Sequence, residues 1–195
     1  MYEVAPEAHE QVFDLVADAF SQASDPIPEF IFEYEPRAAS FKRRLFHSIT
    51  KSIPSGCMIQ ASSPAMEAVA IWLPPDVTFD EETEDHFTED EFDSPETMRR
   101  LSFIDACYEQ AIASLGNEPQ YYLHMIATRG EYIGQGYASS LIQHTIRRAT
   151  QEAIACTLLS PQHNVALYQH LGFDIVLKAP IQDSDCAFYS MRRDP

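Results

Sequence analysis

Basic residues are scarce in this chain. Its 195 residues carry 13 Lys and Arg against 30 Asp and Glu, a formal net charge of −17. That balance argues against binding through nucleic-acid phosphates or to an anionic membrane, since both would be repelled. Cysteines are few and lie far apart, at Cys57, Cys107, Cys156 and Cys186. No pair has the two-residue spacing of a zinc or redox motif. Reduced thiols buried as small hydrophobes are expected, as in a cytoplasmic protein without a metal site. No apolar run reaches the roughly 18 residues that a membrane span needs. The first ten residues, MYEVAPEAHE, contain no basic residue and do not read as a secretory signal. No internal repeat is visible.

What is present is enough for one core. The hydrophobic share is 45% and there are 12 Phe, which argues against global disorder. The length predicts a single domain over residues 1–195, with an acidic excursion at about 76–96. From Asp80 to Glu96, ten of seventeen residues are Asp or Glu and none is Lys or Arg. The remainder holds 20 acids against 13 bases. The excursion reads as a solvated loop. Such a block would attract cations.

Residues 6–21 predict an amphipathic helix, with Val12, Phe13, Val16, Ala17 and Phe20 on one face. A short helix or turn follows between prolines, and 36–52 predicts a second helix with a Phe41, Leu45, Ile49 stripe. Cys57–Ala61 and Glu67–Leu73 read as a hairpin, stopped by Pro74 and Pro75. Ser94-Pro95 looks like a cap and first turn of a helix running to about Leu115. From Gln120 onward strands and helices alternate, the pattern of an α/β sheet with crossovers.

Three of the six glycines, Gly130, Gly134 and Gly136, stand in a turn between a predicted strand and a predicted helix. Glycine permits positive φ there, and free N–H groups at a helix start favour an anion such as pyrophosphate. The residues after Gly136 are Tyr137 and Ala138, not the Lys-Ser or Lys-Thr that a phosphate loop of the kinase type needs. A dinucleotide-binding domain is disfavoured by Ser139 and by the late position of the turn.

YIGQGYASSLI, followed about 30 residues later by NVALYQHLGF, resembles the GNAT family of acetyl-CoA-dependent N-acyltransferases over about residues 120–175. The resemblance implies a GNAT-like α/β fold. Its mixed, mostly antiparallel central sheet would have about six to seven strands flanked by helices. It implies acetyl-CoA as cosubstrate and a small-molecule amine as acceptor, attacked directly without an acyl-enzyme. Met125, Ile126, Ala127 and Thr128 match the strand that pairs with the pantetheine arm. Tyr132, Ile133, Gly134, Gln135, Gly136, Tyr137 and Ala138 match the pyrophosphate turn, and Asn164 matches a cofactor contact. Tyr168 matches the tyrosine that protonates the leaving thiolate. Glu131 departs from the family, which usually has Arg or Gln there, and Arg129 is the nearest compensating charge.

His124, in the apolar strand, is the base candidate, because histidine titrates nearest neutral pH. LHMIAT also resembles the corresponding strand of arylalkylamine N-acetyltransferases, which carries a histidine. The N–H of Ile126 or Ala127 is the candidate donor to the thioester oxygen. Glu33, Glu35 and Tyr122 are reserve site residues. Phe30, Phe32 and Tyr34 line either an aryl pocket or the core. Glu131 leaves open a non-catalytic acyl-CoA-binding module of the same fold.

Overall fold

The structure is a computed structural model that describes residues 1–23, 25–77 and 91–195. Most of the acidic excursion, from residue 78 to 90, lies outside the described residues. At the excursion's far end, Glu91 pairs with Arg44 at 2.5 Å, and Glu96 pairs with Arg99 at 2.7 Å and Arg100 at 3.3 Å. These two acids therefore serve the fold.

One seven-stranded sheet organises the chain. Its strands are β1 (Tyr2–Glu3), β2 (Met58–Ala61), β3 (Ala68–Leu73), β4 (Gln120–Thr128), β5 (Ala155–Pro161), β6 (Asp174–Pro180) and β7 (Ala187–Arg193). The order is β1-β2-β3-β4-β5-β7-β6, and among the described residues only β4 and β5 pair in parallel. The expected mixed, mostly antiparallel sheet is what forms. The two-residue edge strand β1 has too little sequence to show a period.

Helices cover both faces. They are α1 (His9–Gln22), α2 (Pro26–Ile31), α3 (Ala38–Lys51), α4 (Pro95–Ala113), α5 (Tyr137–Glu152) and α6 (Val165–His170). The predicted first helix begins as a 3-10 turn at Pro6–Ala8 and continues as α1. Val12, Val16 and Ala17 of α1 meet Val69, Ile71, Met125 and Ala127 of the sheet. On the other face, Leu141, Ile142 and Ile146 of α5 meet Trp72, Leu123, Leu158 and Tyr168. All six residues of β3 are buried, as expected for a central strand covered on both sides. Ser94 caps α4 by accepting from Glu96 N at 3.2 Å, with Pro95 in the first turn.

Candidate active site

The glycine turn joins β4 to α5. Arg129 N donates to Glu67 O at 2.9 Å, a 3-10 turn spans Gly130–Tyr132, and α5 begins at Tyr137. Gly134 and Gly136 have φ of +81° and +84°, the left-handed region where a side chain is strained. A Cβ at either would meet no heavy atom within 4 Å. These glycines are needed for backbone shape, and the space beside them is open.

That shape exposes donors. The N–H groups of Tyr132, Ile133 and Gln135 are used inside the turn, on Arg129 O, Gly130 O and Tyr132 O. Those of Gly134, Gly136, Tyr137, Ala138 and Ser139 have no acceptor among the described residues. Five free amides at the start of a 16-residue helix fit a pyrophosphate. Ser139, absent from the sequence-based set, joins it as an amide donor. The third N–H of any helix lacks an intrahelical acceptor, so the signal was there once α5 was placed.

The side chains around the turn brace it. Gln135 Nε2 donates to Glu131 O at 3.0 Å, and the Tyr132 and Tyr137 rings meet edge-on at 5.8 Å. Glu131 lies on the exposed surface, so its carboxylate can stay in water. Arg129 is tied back to the β2–β3 turn through Nε and Met66 O at 2.9 Å.

Next to the turn the sheet opens. β4 and β5 pair only from Gln120↔Ala155 to Leu123↔Leu158. Beyond that point β4 pairs with β3 alone, and Leu159, Ser160 and Pro161 pair with β7 alone. The parting coincides with an irregularity in the β3–β4 register. Ile71 lies opposite Met125 and Trp72 opposite Leu123, which leaves His124 as the extra residue. The bond from Arg129 N to Glu67 O fixes which groups face which way. Antiparallel alternation turns the polar groups of Ala127 and Met125 toward β3 and those of Ile126 and Thr128 toward the opening. Of the two donors considered for a thioester oxygen, Ile126 N–H is the one on the open side.

Tyr168 of α6 is 5% exposed and packs in the cluster that holds Leu123 and Leu158, the last pair before this opening. Its ring packs edge-on against Phe173 at 6.0 Å. Its hydroxyl has no hydrogen-bond partner among the described residues. Burial pushes its pKa up to about 12, so it holds its proton at any ordinary pH. Asn164 caps α6 without a side-chain capping bond.

His124 is half-buried and hydrogen-bonds the Ile49 backbone of α3. Desolvation is the larger effect and pushes its pKa down to about 4. The imidazole is therefore neutral near pH 7, but a weak base. Tyr122, two residues earlier, is 9% exposed and lies 6.3 Å from His124 between ring centroids. Burial is the main cause that holds its phenol pKa well above the ordinary value, with Tyr108 of α4 adding to it.

The other reserves serve the fold. Glu35 is buried and accepts from Asp93 N at 3.1 Å, Ser94 N at 3.2 Å and Thr97 Oγ1 at 2.5 Å. It holds the start of α4. Glu33 pairs with Arg100 at 2.7 Å. The Arg100 guanidinium lies 4.3 Å from the Phe30 ring and 4.8 Å from the Tyr34 ring. Phe32 is core, stacked with Phe41 at 5.9 Å. A small cleft of about 100 Å³ lies where β5 ends and β7 begins, lined by Pro26, Ile27, Pro161, Gln162, Cys186 and Ala187.

Comparison with known proteins agrees with this geometry. Residues 66–173 match the model of the acetyltransferase (GNAT) family. No curated protein matches the chain. Among solved structures, one from Corynebacterium glutamicum, described as histone acetyltransferase HPA2 and related acetyltransferase, is 22% identical with a TM-score of 0.62. The alignment covers 100% of this chain and 94% of that one. An N-acetyltransferase from Staphylococcus aureus is 14% identical with a TM-score of 0.55, covering 97% of both chains. The ribosomal-protein-S18-alanine N-acetyltransferase from Escherichia coli is 15% identical with a TM-score of 0.53, covering 99% and 91%. These likenesses are of fold, whereas the family match spans the β3–β4 pair, the glycine turn, the strand opening and Tyr168, and on that ground the chain belongs to the GNAT acetyltransferase family.

Proposed function

We propose that this protein is an acetyl-CoA-dependent N-acetyltransferase that acts on a primary amine of a small molecule. The observation that carries the reading is the adjacency of five free turn amides, an open strand edge at Ile126 and Thr128, and a buried tyrosine without a protein partner. Acetyl-CoA supplies an acetyl group activated as a thioester. Gly134, Gly136, Tyr137, Ala138 and Ser139 hold the pyrophosphate through their N–H groups. Ile126 and Thr128 present backbone groups to the pantetheine arm, and Met125 and Ala127 support them through core contacts. Tyr132, Ile133 and Gln135 shape the turn rather than donate, and Asn164 is placed at the entry to α6 for a cofactor contact.

Direct attack by the amine is favoured over an acyl-enzyme. Burial raises the pKa of all four thiols, that of Cys57 to about 11 and that of Cys156 to about 12. A protonated thiol is a poor nucleophile. Tyr168 holds the proton for sulfur, and Ile126 N–H faces the developing negative charge on oxygen. His124, a neutral but weak base near pH 7, is the candidate to take the proton that the amine loses.

The test has two stages. Titration calorimetry with acetyl-CoA reports binding, and no heat at millimolar ligand overturns the reading. Thiol release from acetyl-CoA across an amine library then reports transfer. Binding without turnover on any amine would leave a non-catalytic acyl-CoA-binding module.

A further inference from the structure

The cleft at the end of β5 has no role in the scheme above, yet the strands place it beside the opening. β4 and β5 run in the same direction and part after Leu123↔Leu158. Ile126 lies three residues beyond that pair on β4, and Pro161 lies three residues beyond it on β5. At about 3.3 Å per residue, each stands about 10 Å past the last pair, on its own bank of the opening. Pro161 is a wall of the cleft, together with Pro26 and Ile27 of α2 and Cys186 and Ala187. Leu158 belongs to the core under α5, whereas its neighbour Leu159 packs with Ile27 and Phe41. Successive strand residues face opposite sides, so α2 covers the face away from α5. A cofactor held at the start of α5 and an acceptor held beside α2 would meet at the gap.

The cleft walls are mainly apolar, and carboxylates stand beside them. Asp185 lines the cleft, is exposed, and has neither a hydrogen bond nor an ion pair among the described residues. Asp25 directly precedes Pro26 and Ile27 and is 8% exposed. Its Oδ1 accepts from Ile27 N at 2.9 Å and caps α2, while Oδ2 has no hydrogen-bond partner among the described residues. Lys42, a buried cation that acts on Asp25, is held by Glu29. His163, next to the wall residue Gln162, also acts on it. Burial remains the largest effect on the Asp25 carboxyl and raises its pKa, a penalty that a further cation would offset.

We propose that this cleft selects short aliphatic diamines, with Asp185 and Asp25 holding the far ammonium while the near amine reaches the thioester at the opening. This inference rests on the acyl-transfer reading and narrows its acceptor. The near amine forms the amide bond as the carbon–sulfur bond breaks, and one proton passes from nitrogen to sulfur. The far ammonium keeps its proton throughout. The cleft volume of about 100 Å³ is less than the roughly 150 Å³ of a cavity that takes benzene, so an alkyl chain fits better than an aryl ring.

Thiol release from acetyl-CoA compares propane-, butane-, pentane- and hexanediamine with monoamines of the same chain length. The parent should favour the diamines in kcat/KM. Asp185→Asn removes an exposed charge and should cut the diamine-to-monoamine ratio by roughly three- to five-fold. Asp25→Asn keeps a side-chain acceptor for Ile27 N, so α2 stays capped. It should cut the ratio by about ten-fold or more, because this carboxylate is out of water. Melting temperatures within a few degrees of the parent show that the variants fold. No preference for diamines in the parent, or a ratio unchanged in either variant, overturns the proposal and leaves acyl transfer intact. Calorimetry with butanediamine in the presence of CoA needs no turnover. The parent should bind it, and the double variant should bind it at least about ten-fold more weakly. If no amine is turned over while that difference holds, the transfer reading fails and the diamine subsite stands.

Discussion

Replacing Tyr168 with Phe separates catalysis from packing, because the ring and the hydroxyl do different things. The ring is part of the core under α5 and meets Phe173 edge-on. Phenylalanine keeps both contacts. The hydroxyl has no hydrogen-bond partner among the described residues, so its removal orphans no other group. The stability change should stay within about 1 kcal/mol, the scale of one ordinary hydrogen bond. For a chain of this length that is a melting shift of about 4 °C or less. The loss in kcat should be roughly a hundred- to ten-thousand-fold, or about 2.7–5.5 kcal/mol of barrier. Affinity for acetyl-CoA should hardly move, because the turn amides and strand edge are untouched. The assay is thiol release at saturating amine, with calorimetry for binding and a thermal melt for folding. Burial keeps Tyr168 protonated until about pH 12, so the fold loss should be the same from about pH 6 to about pH 9. An unchanged kcat would make Tyr168 a packing residue. A loss that grows steeply across that range would show that its proton is not held as burial requires.

Gly136→Ala puts a side chain at φ +84° and should cost about 1–2 kcal/mol, and it should weaken acetyl-CoA binding by calorimetry. Gly130 lies in the 3-10 turn without positive φ and with open space around it, so Gly130→Ala should be neutral or stabilising by about 0.4–1 kcal/mol. Equal effects at the two positions would contradict the cradle. His124 should give the fold an acid-sensitive term. Its folded pKa of about 4 lies below the unfolded value near 6.5, so the unfolded chain binds the extra proton in between. Stability should be fully present above pH 6.5 and fall as pH drops toward 4, and in His124→Gln thermal melts should show less of that fall. Glu35→Ala leaves three donors at the start of α4 without their acceptor. It should lower stability by about 2–3 kcal/mol while leaving the apparent acetyl-CoA affinity of the folded protein unchanged.

The elements near the site were legible because their signals are local. YYLHMIAT is a strand by composition, the glycines demand positive φ, and YASSLIQHTIRRA has the three-four spacing of α5. The Ser94-Pro95 start of α4 could be read for the same reason. Charge reasoning fared less well. Glu131 looked like an obstacle to pyrophosphate, but its position on the exposed surface depends on how the 3-10 turn is seated. Glu33 and Glu35 looked like acceptor-side acids, yet they hold Arg100 and the start of α4, partners more than fifty residues away in sequence.

The sequence by itself determined the order of strands and helices, the amide-rich turn and the tyrosine four residues after Asn164, since each follows from short-range rules of spacing and backbone conformation. Only the tertiary structure decided what those parts do together. The extra residue at His124 breaks the register of β4, β5 parts from it, and a gap opens between parallel neighbours. No local pattern encodes such an opening, because it arises from strands and helices that only packing brings together.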